Sequence, residues 1–176
     1  MERVLDDVGW RILAALQADA RLSFSELGRR VGLSPPAAAE RVRRLEDAGI
    51  ITGYRAELDP EKLGFAVSAI IRVSAPEQHF ARLKTLVAGL VEVREAHHVT
   101  GPDSLVLKVS AVSVGHLESV IEQLGRYGTP TTAVILSSPV RGRAVHEPAK
   151  PANRARPLLK SLASGRAEGR VRARGR

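Results

Sequence analysis

The sequence predicts an α+β chain in two folded parts followed by a basic tail, and three observations carry that prediction. Over Ser23–Gly49 two short amphipathic stretches, each with a serine ahead of it and a glycine behind it, meet at Gly32-Leu33-Ser34. Between Phe65 and Ser137 the apolar period alternates between that of a strand and that of a helix, in the order β-α-β-β-α-β. From Val140 the chain is rich in Arg, Ala, Pro, Gly and Ser and loses sustained periodicity. The expected boundaries are 1–59 for a three-helix part ending in a wing, 60–64 for a linker, 65–139 for the mixed part and 140–176 for a tail expected to be disordered.

Leu5–Gln17 reads as the first helix, with Leu5, Val8, Ile12, Leu13 and Leu16 on one face, Asp6 and Asp7 at its positive end and Trp10 packing at its edge. The second helix has Ser23 as its N-cap and Glu26 three residues on, the pattern of a reciprocal capping box. Leu27 and Val31 form its inner stripe, and Gly32 permits a left-handed exit. Leu33 plugs the turn. Ser34 caps the third helix and Pro35 opens it, where a missing amide proton costs nothing. Ala38, Val42 and Leu45 point inward, which leaves Pro36, Ala37, Glu40, Arg41, Arg44 and Asp47 outward, and Gly49 ends the helix. Ile50–Leu58 suits a short wing and an exit strand.

Two capped helices across a tight turn make a helix-turn-helix, whose second helix lies in the major groove with its first turns at base edges and its basic side chains on phosphates. On that reading Ser23, Ser34, Pro36, Ala37, Glu40, Arg41, Arg43, Arg44 and Arg55 are the candidate DNA-binding residues. The same charges also suit a salt-bridged solvent face. Pro36 and Ala37 carry no side-chain hydrogen-bonding group, so base readout would rest on thymine-methyl contact, on Arg41 and on DNA bending, giving a degenerate, A·T-leaning site.

In the second part, Val67, Ala69, Ile71 and Val73 alternate as a strand, and Phe80, Leu83, Leu86 and Val87 recur at helical spacing within Glu77–Leu90. Strands over Val91–Val99 and Ser104–Val112, a helix over Val114–Leu124 and a last strand over Thr131–Ser137 complete a ferredoxin-like sandwich. One sheet face stays uncovered, and Ile70, Val106 and Ile135 are expected to make it apolar enough to drive self-association. The turn Thr100–Ser104 is the candidate effector site. Gly101 lets backbone amides approach a carboxylate and Asp103 could hold an ammonium group, although plain hairpin loops use the same residues. His98 is assigned to the effector side. His97 and His98, adjacent on a strand, point to opposite faces and cannot chelate one ion, so neither metal nor cofactor is expected.

The segment Leu5–Asp59, with LSPPAAAERVRRLEDAGIITGYRAELDP at its heart, and the later EAHHVTGPDSLVLKV resemble the Lrp/AsnC (feast/famine) transcriptional regulators as far as about Pro139. The resemblance implies a bacterial or archaeal regulator with a winged helix-turn-helix on double-stranded DNA. It implies a second domain that dimerises and goes on to larger homo-oligomers, with an amino acid or similar small molecule bound near Thr100, Gly101, Asp103 and Ser104. Pro102 and Ser104 depart from the family's usual loop. Two other readings stay open beside this one: an architectural, nucleoid-organising protein with little ligand response, and an enzyme like the siroheme decarboxylases, which share the two-domain resemblance.

Composition sets the outer limits. There are no cysteines, so disulfides, thiolate metal sites and cysteine nucleophiles are excluded. Neither a membrane-spanning run nor a secretory leader is recognisable, and the expected location is the cytoplasm. The net charge of +8 is uneven: Arg141–Arg176 holds 11 Lys and Arg against 2 acidic residues, and the preceding residues hold 16 against 17. The tail is therefore expected either to add salt-sensitive, sequence-independent affinity for phosphates or to be a solubilising extension.

Overall fold

The computed structural model describes residues 5–148, which divide into two compact units. The first comprises the chain up to Ile50 together with residues from Ala144 on; the second is Ile51–Arg143. The division thus falls nearer the helices than the boundary expected at Asp59, and residues 144–148 return to the first unit. The remainder of the expected tail lies outside the described residues.

The first unit holds α1 (Asp7–Ala18), α2 (Phe24–Val31) and α3 (Pro35–Asp47). Asp6 stands outside α1 as its N-cap, its carboxylate accepting the Gly9 amide at 2.7 Å, which explains why the helix starts later than its apolar pattern. The Ser23 hydroxyl accepts the Glu26 amide at 3.2 Å. The expected return bond does not form, because the Glu26 carboxylate turns to Arg29 and Arg30. Ser34 accepts the Ala37 amide at 3.4 Å and Pro35 opens α3 as expected. At its far end Gly49 adopts φ +66°, the Gly49 amide donates to the Glu46 carbonyl and the Ile50 amide to the Leu45 carbonyl, the paired bonds of a Schellman stop.

The α2–α3 turn is set by one close approach. The Leu33 amide donates to the Gly28 carbonyl at 2.8 Å, and a Cβ on buried Gly28 would stand 2.5 Å from the Leu33 carbonyl oxygen. Both ends of that contact are backbone, so nothing there yields cheaply. Ile12, Leu27, Val31, Ala38, Val42 and Leu45 close beneath it as a small buried core.

The wing and exit strand expected over Ile50–Leu58 do not form among the described residues. Residues 52–58 are exposed, and the sheet of their own unit does not take them up.

That sheet contains β1 (Val67–Ser74), β2 (Val93–His98), β3 (Leu105–Ala111) and β4 (Thr129–Val134) in the order β2-β3-β1-β4, antiparallel throughout. With α4 (Glu77–Gly89) and α5 (Val114–Gly125) this is the ferredoxin-like order. Ile71 faces Leu107 on one side and Thr132 on the other, fixing the register in which alternate residues enter the core. Ala69, Ile71, Val73, Leu107 and Val109 meet Leu83 and Val87 of α4 and Leu117, Val120 and Leu124 of α5, all buried.

The Gly28 contact yields the first prediction. Gly28→Ala should lower the stability of the first unit by about 1–3 kcal/mol, the usual cost of forcing a group into a packed site, read as a lower urea midpoint of its unfolding transition. An unchanged midpoint would show that the turn opens without cost.

Candidate nucleic-acid interface and effector loop

Helix α3 sorts its side chains by depth. Ala38, Val42 and Leu45 are buried, Pro36, Arg43 and Arg44 are exposed, and Ala37 and Glu40 lie between. One Glu40 carboxylate serves two arginines: Arg44 Nε donates to Oε1 at 3.1 Å, and Arg43 Nη2 donates to Oε2. The same arrangement recurs on α2, where Glu26 accepts from Arg29 Nη2 at 2.7 Å and Arg30 Nε at 2.9 Å. The hydrogen bonds from Arg29 and then Arg30 pull the Glu26 carboxyl from an ordinary 4.5 to about 2. It is therefore fully ionised near neutral pH, and its trio with Arg29 and Arg30 carries a net charge of only +1.

Arg41 departs from its expected place on the outer face. Its Nη1 lies 3.0 Å from Asp6 Oδ2 and its side chain is only 22% exposed. It ties α3 to the cap of α1. The Gly9 amide first, and Arg41 second, hold the Asp6 carboxyl below its ordinary range. A helical wheel places residue 41 outward because arginine is polar; the partner that turns it inward lies 35 residues away and becomes visible only in three dimensions. Ser23 and Ser34 sit where expected, as caps at the N-terminal ends of α2 and α3. Exposed Arg55 lies in the second unit.

The effector candidates do not come together as a set. Gly101 adopts φ +111°, so the loop uses the freedom expected of it. Asp103 Oδ2 lies 3.9 Å from Arg72 Nη1. The Ser104 hydroxyl is committed to main chain, accepting the Ala75 amide at 3.0 Å and donating to the Ala75 carbonyl at 3.2 Å. That bond makes Ser104 a brace of the loop. His98 lies on the helix-covered face, its ring 4.6 Å from that of Phe80, and lines a groove of about 410 Å³ with Lys84 and Arg94. His97, 3.6 Å from Glu95, faces the other way. Thr100, Gly101 and Asp103 are left as the part of the set that a ligand could meet at the loop.

The uncovered sheet face is less apolar than expected. Ile70 and Val106 are half-buried on it, but Glu95 and Lys108 form a 2.9 Å ion pair across β2 and β3 beside them. Ile135 lies just past β4, held by its amide to the Ser68 carbonyl.

A capped helix pair joined to a separate α+β domain with a glycine loop is the architecture of a ligand-responsive DNA-binding regulator. Comparison with known proteins bears this out. Residues 5–46 match the AsnC-type helix-turn-helix domain and residues 68–145 the Lrp/AsnC ligand binding domain. The uncharacterized HTH-type transcriptional regulator YezC of Bacillus subtilis is 46% identical over 135 residues, covering 76% of this chain and 95% of that protein. The structure of B. subtilis LrpC superposes with a TM-score of 0.74 at 36% identity, over 76% of this chain and 96% of that one. A transcriptional regulator of Neisseria meningitidis, NMB0573, solved as a complex with L-methionine, gives 0.75 at 28% identity, over 80% and 96%. The chain belongs to the Lrp/AsnC family of transcriptional regulators. Among the described residues no helix is long and apolar enough to cross a membrane, and no group of three or more His, Asp or Glu is placed to hold a metal ion.

The Glu40 arrangement makes a second prediction. Glu40→Gln removes the acceptor that holds Arg43 and Arg44 and one negative charge from the outer face of α3. It should tighten binding to a scrambled duplex by about threefold to tenfold at low salt, measured by fluorescence anisotropy. Weaker or unchanged binding would place α3 away from the DNA.

Proposed function

We propose that this regulator reads double-stranded DNA with the first turns of α3, assembles as a homodimer or larger homo-oligomer through its second unit, and answers to an amino acid at Thr100–Asp103. The observation that carries the DNA reading is α3 itself. It is capped by Ser34, pinned by Arg41 to Asp6, and turns Pro36, Ala37, Glu40, Arg43 and Arg44 outward. Ser23 and Ser34 cap the N-termini of α2 and α3, where backbone amides suit phosphate oxygens. Paired copies would meet half-sites one helical turn or a multiple apart. Its working place would be the nucleoid.

An effector would have its carboxylate met by loop amides near Gly101 and its ammonium group by Asp103. The L-methionine in the N. meningitidis relative supports an amino acid as the ligand class. The half-buried Ile70 and Val106 support self-association across the uncovered sheet face. Ion pairs on the same face would give register to that contact.

One observation favours the architectural reading. The outward arginines of α3 are tied to Glu40, and Pro36 and Ala37 offer no side-chain hydrogen bond to a base, so discrimination among sequences would be shallow. Recognition of RNA by base stacking has no such support, since β1–β4 contain no Phe, Tyr or Trp.

The test is a salt titration of affinity for the DNA upstream of the protein's own gene and for scrambled DNA, with the full chain and a chain ending at Pro148. The regulator reading expects at least about a tenfold preference to survive truncation, with L-methionine or another amino acid shifting the curve and Asp103→Ala abolishing that shift. Equal affinity for both DNAs at either length would favour the architectural role.

A further inference from the structure

Asp103 stands near the end of the Thr100–Ser104 loop with its carboxylate half-buried, and the next residue fixes its seat. Ser104 makes three hydrogen bonds to the end of β1: its amide donates to the Val73 carbonyl at 2.8 Å, and its hydroxyl meets both main-chain groups of Ala75. Arg72 belongs to the same strand but lies on its uncovered face, opposite Val106 of β3 and Thr131 of β4. Its guanidinium is 55% exposed and stands 3.9 Å from the Asp103 carboxylate. That distance is close enough for attraction and too long for an N–H···O hydrogen bond, which needs about 2.7–3.2 Å. The pair is matched in charge but open. The carboxylate keeps its lone pairs for a cationic donor, and the guanidinium keeps its fork of N–H groups for an anionic acceptor. Glu95 and Lys108, on the same face, are by contrast closed at 2.9 Å.

An opening between opposite charges selects a ligand that carries both. An α-amino acid bears an ammonium and a carboxylate on one carbon, so one pose sets the ammonium on Asp103 and turns the carboxylate to Arg72 and the loop amides near Gly101. A carboxylic acid without the amine would set its charge against Asp103, and an amine without the carboxylate would set its charge against Arg72. Half-buried Val106, with the methylenes of Arg72 beside it, makes a floor suited to an apolar side chain.

We propose that Arg72 is the carboxylate-recognising residue of the effector site, and that the Arg72–Asp103 pair admits α-amino acids with an apolar side chain while rejecting their deaminated and amidated forms. The inference rests on the reading that an amino acid binds at Thr100–Asp103. It adds to that loop a residue of β1 that sets the class of ligand. Arg72 carries no signal of this role in the sequence, where it reads as one polar position of an alternating strand.

Isothermal titration calorimetry of the full chain with each of the common L-amino acids identifies the tightest ligand. That ligand is then compared with its amide and with its deaminated acid on the unaltered chain, Arg72→Gln and Asp103→Asn. The unaltered chain should prefer the amino acid to either analogue by at least about tenfold, the scale of one charge-assisted contact. Arg72→Gln should weaken the amino acid by about that factor and leave the amide bound as well as before or better. Its preference over the amide is then lost, and its preference over the deaminated acid is kept. Asp103→Asn should do the reverse, and Arg72→Lys, which keeps the charge without the fork, should recover part of the affinity. Each preference is a ratio within one protein, so a general loss of folded material does not alter it. Equal weakening of all three ligands by Arg72→Gln would make Arg72 a brace of the loop, and unchanged amino-acid affinity would remove it from the site; either result overturns the proposal. Failure of the underlying reading looks different, and takes the proposal with it: no amino acid binds the unaltered chain, or Asp103→Asn leaves binding of all three ligands as it was.

Discussion

The first unit depends on the closeness of two backbones. Because Gly28 has no side chain, the Leu33 carbonyl oxygen can lie 2.5 Å from where a Cβ would stand, and α3 leaves the turn at the angle that contact dictates. The rest of the unit elaborates this constraint. Ser34 and Pro35 start α3 at once after the turn, Leu27 and Val31 of α2 and Ala38 and Val42 of α3 are all buried, and Arg41 reaches across to the cap of α1. A turn held by backbone contact resists deformation in a way that exposed side-chain pairs do not. Such a turn suits a helix that must present the same few atoms to every groove it enters.

Electrostatics on that helix work by restraint. Glu26 and Glu40 each hold two arginines, and the chain as far as Pro148 carries equal numbers of basic and acidic side chains. A surface so balanced has little attraction for DNA in general, and its arginines must exchange a carboxylate for a phosphate or a base edge when they dock. The second unit shows a related economy. Its helix-covered face is a continuous apolar core, while the uncovered face mixes Ile70 and Val106 with Arg72, Lys108, Glu95 and His97, a surface that couples burial to charge pairing.

Much of this is legible in the sequence because it is written locally. Serines before helices, glycines after them and the change of apolar period each depend on residues a few positions apart, so α2, α3 and the β-α-β-β-α-β order can be read directly, with ends off by one to three residues. The features that escape such a reading depend on partners distant in sequence. The polar face of α3 puts Arg41 outward, and only the fold brings Asp6 to it. Ser104 has the chemistry of a ligand group, but β1 sets the Ala75 main chain against its hydroxyl. The Ile50–Leu58 stretch has strand-forming residues but no strand beside it in its own sheet. Gly28 leaves a trace in the sequence, a glycine within a helix where alanine would serve better unless space forbids it.

The central claim is that the first turns of α3 are what meets DNA. Hydrogen exchange of the full-length protein, with and without a duplex from upstream of its own gene, addresses it most directly. The account predicts new protection over residues 34–44 and at the start of α2, where frayed N-terminal amides become covered by phosphates. Protection confined to the strands of the second unit, with residues 34–44 exchanging as in the unbound protein, would contradict it.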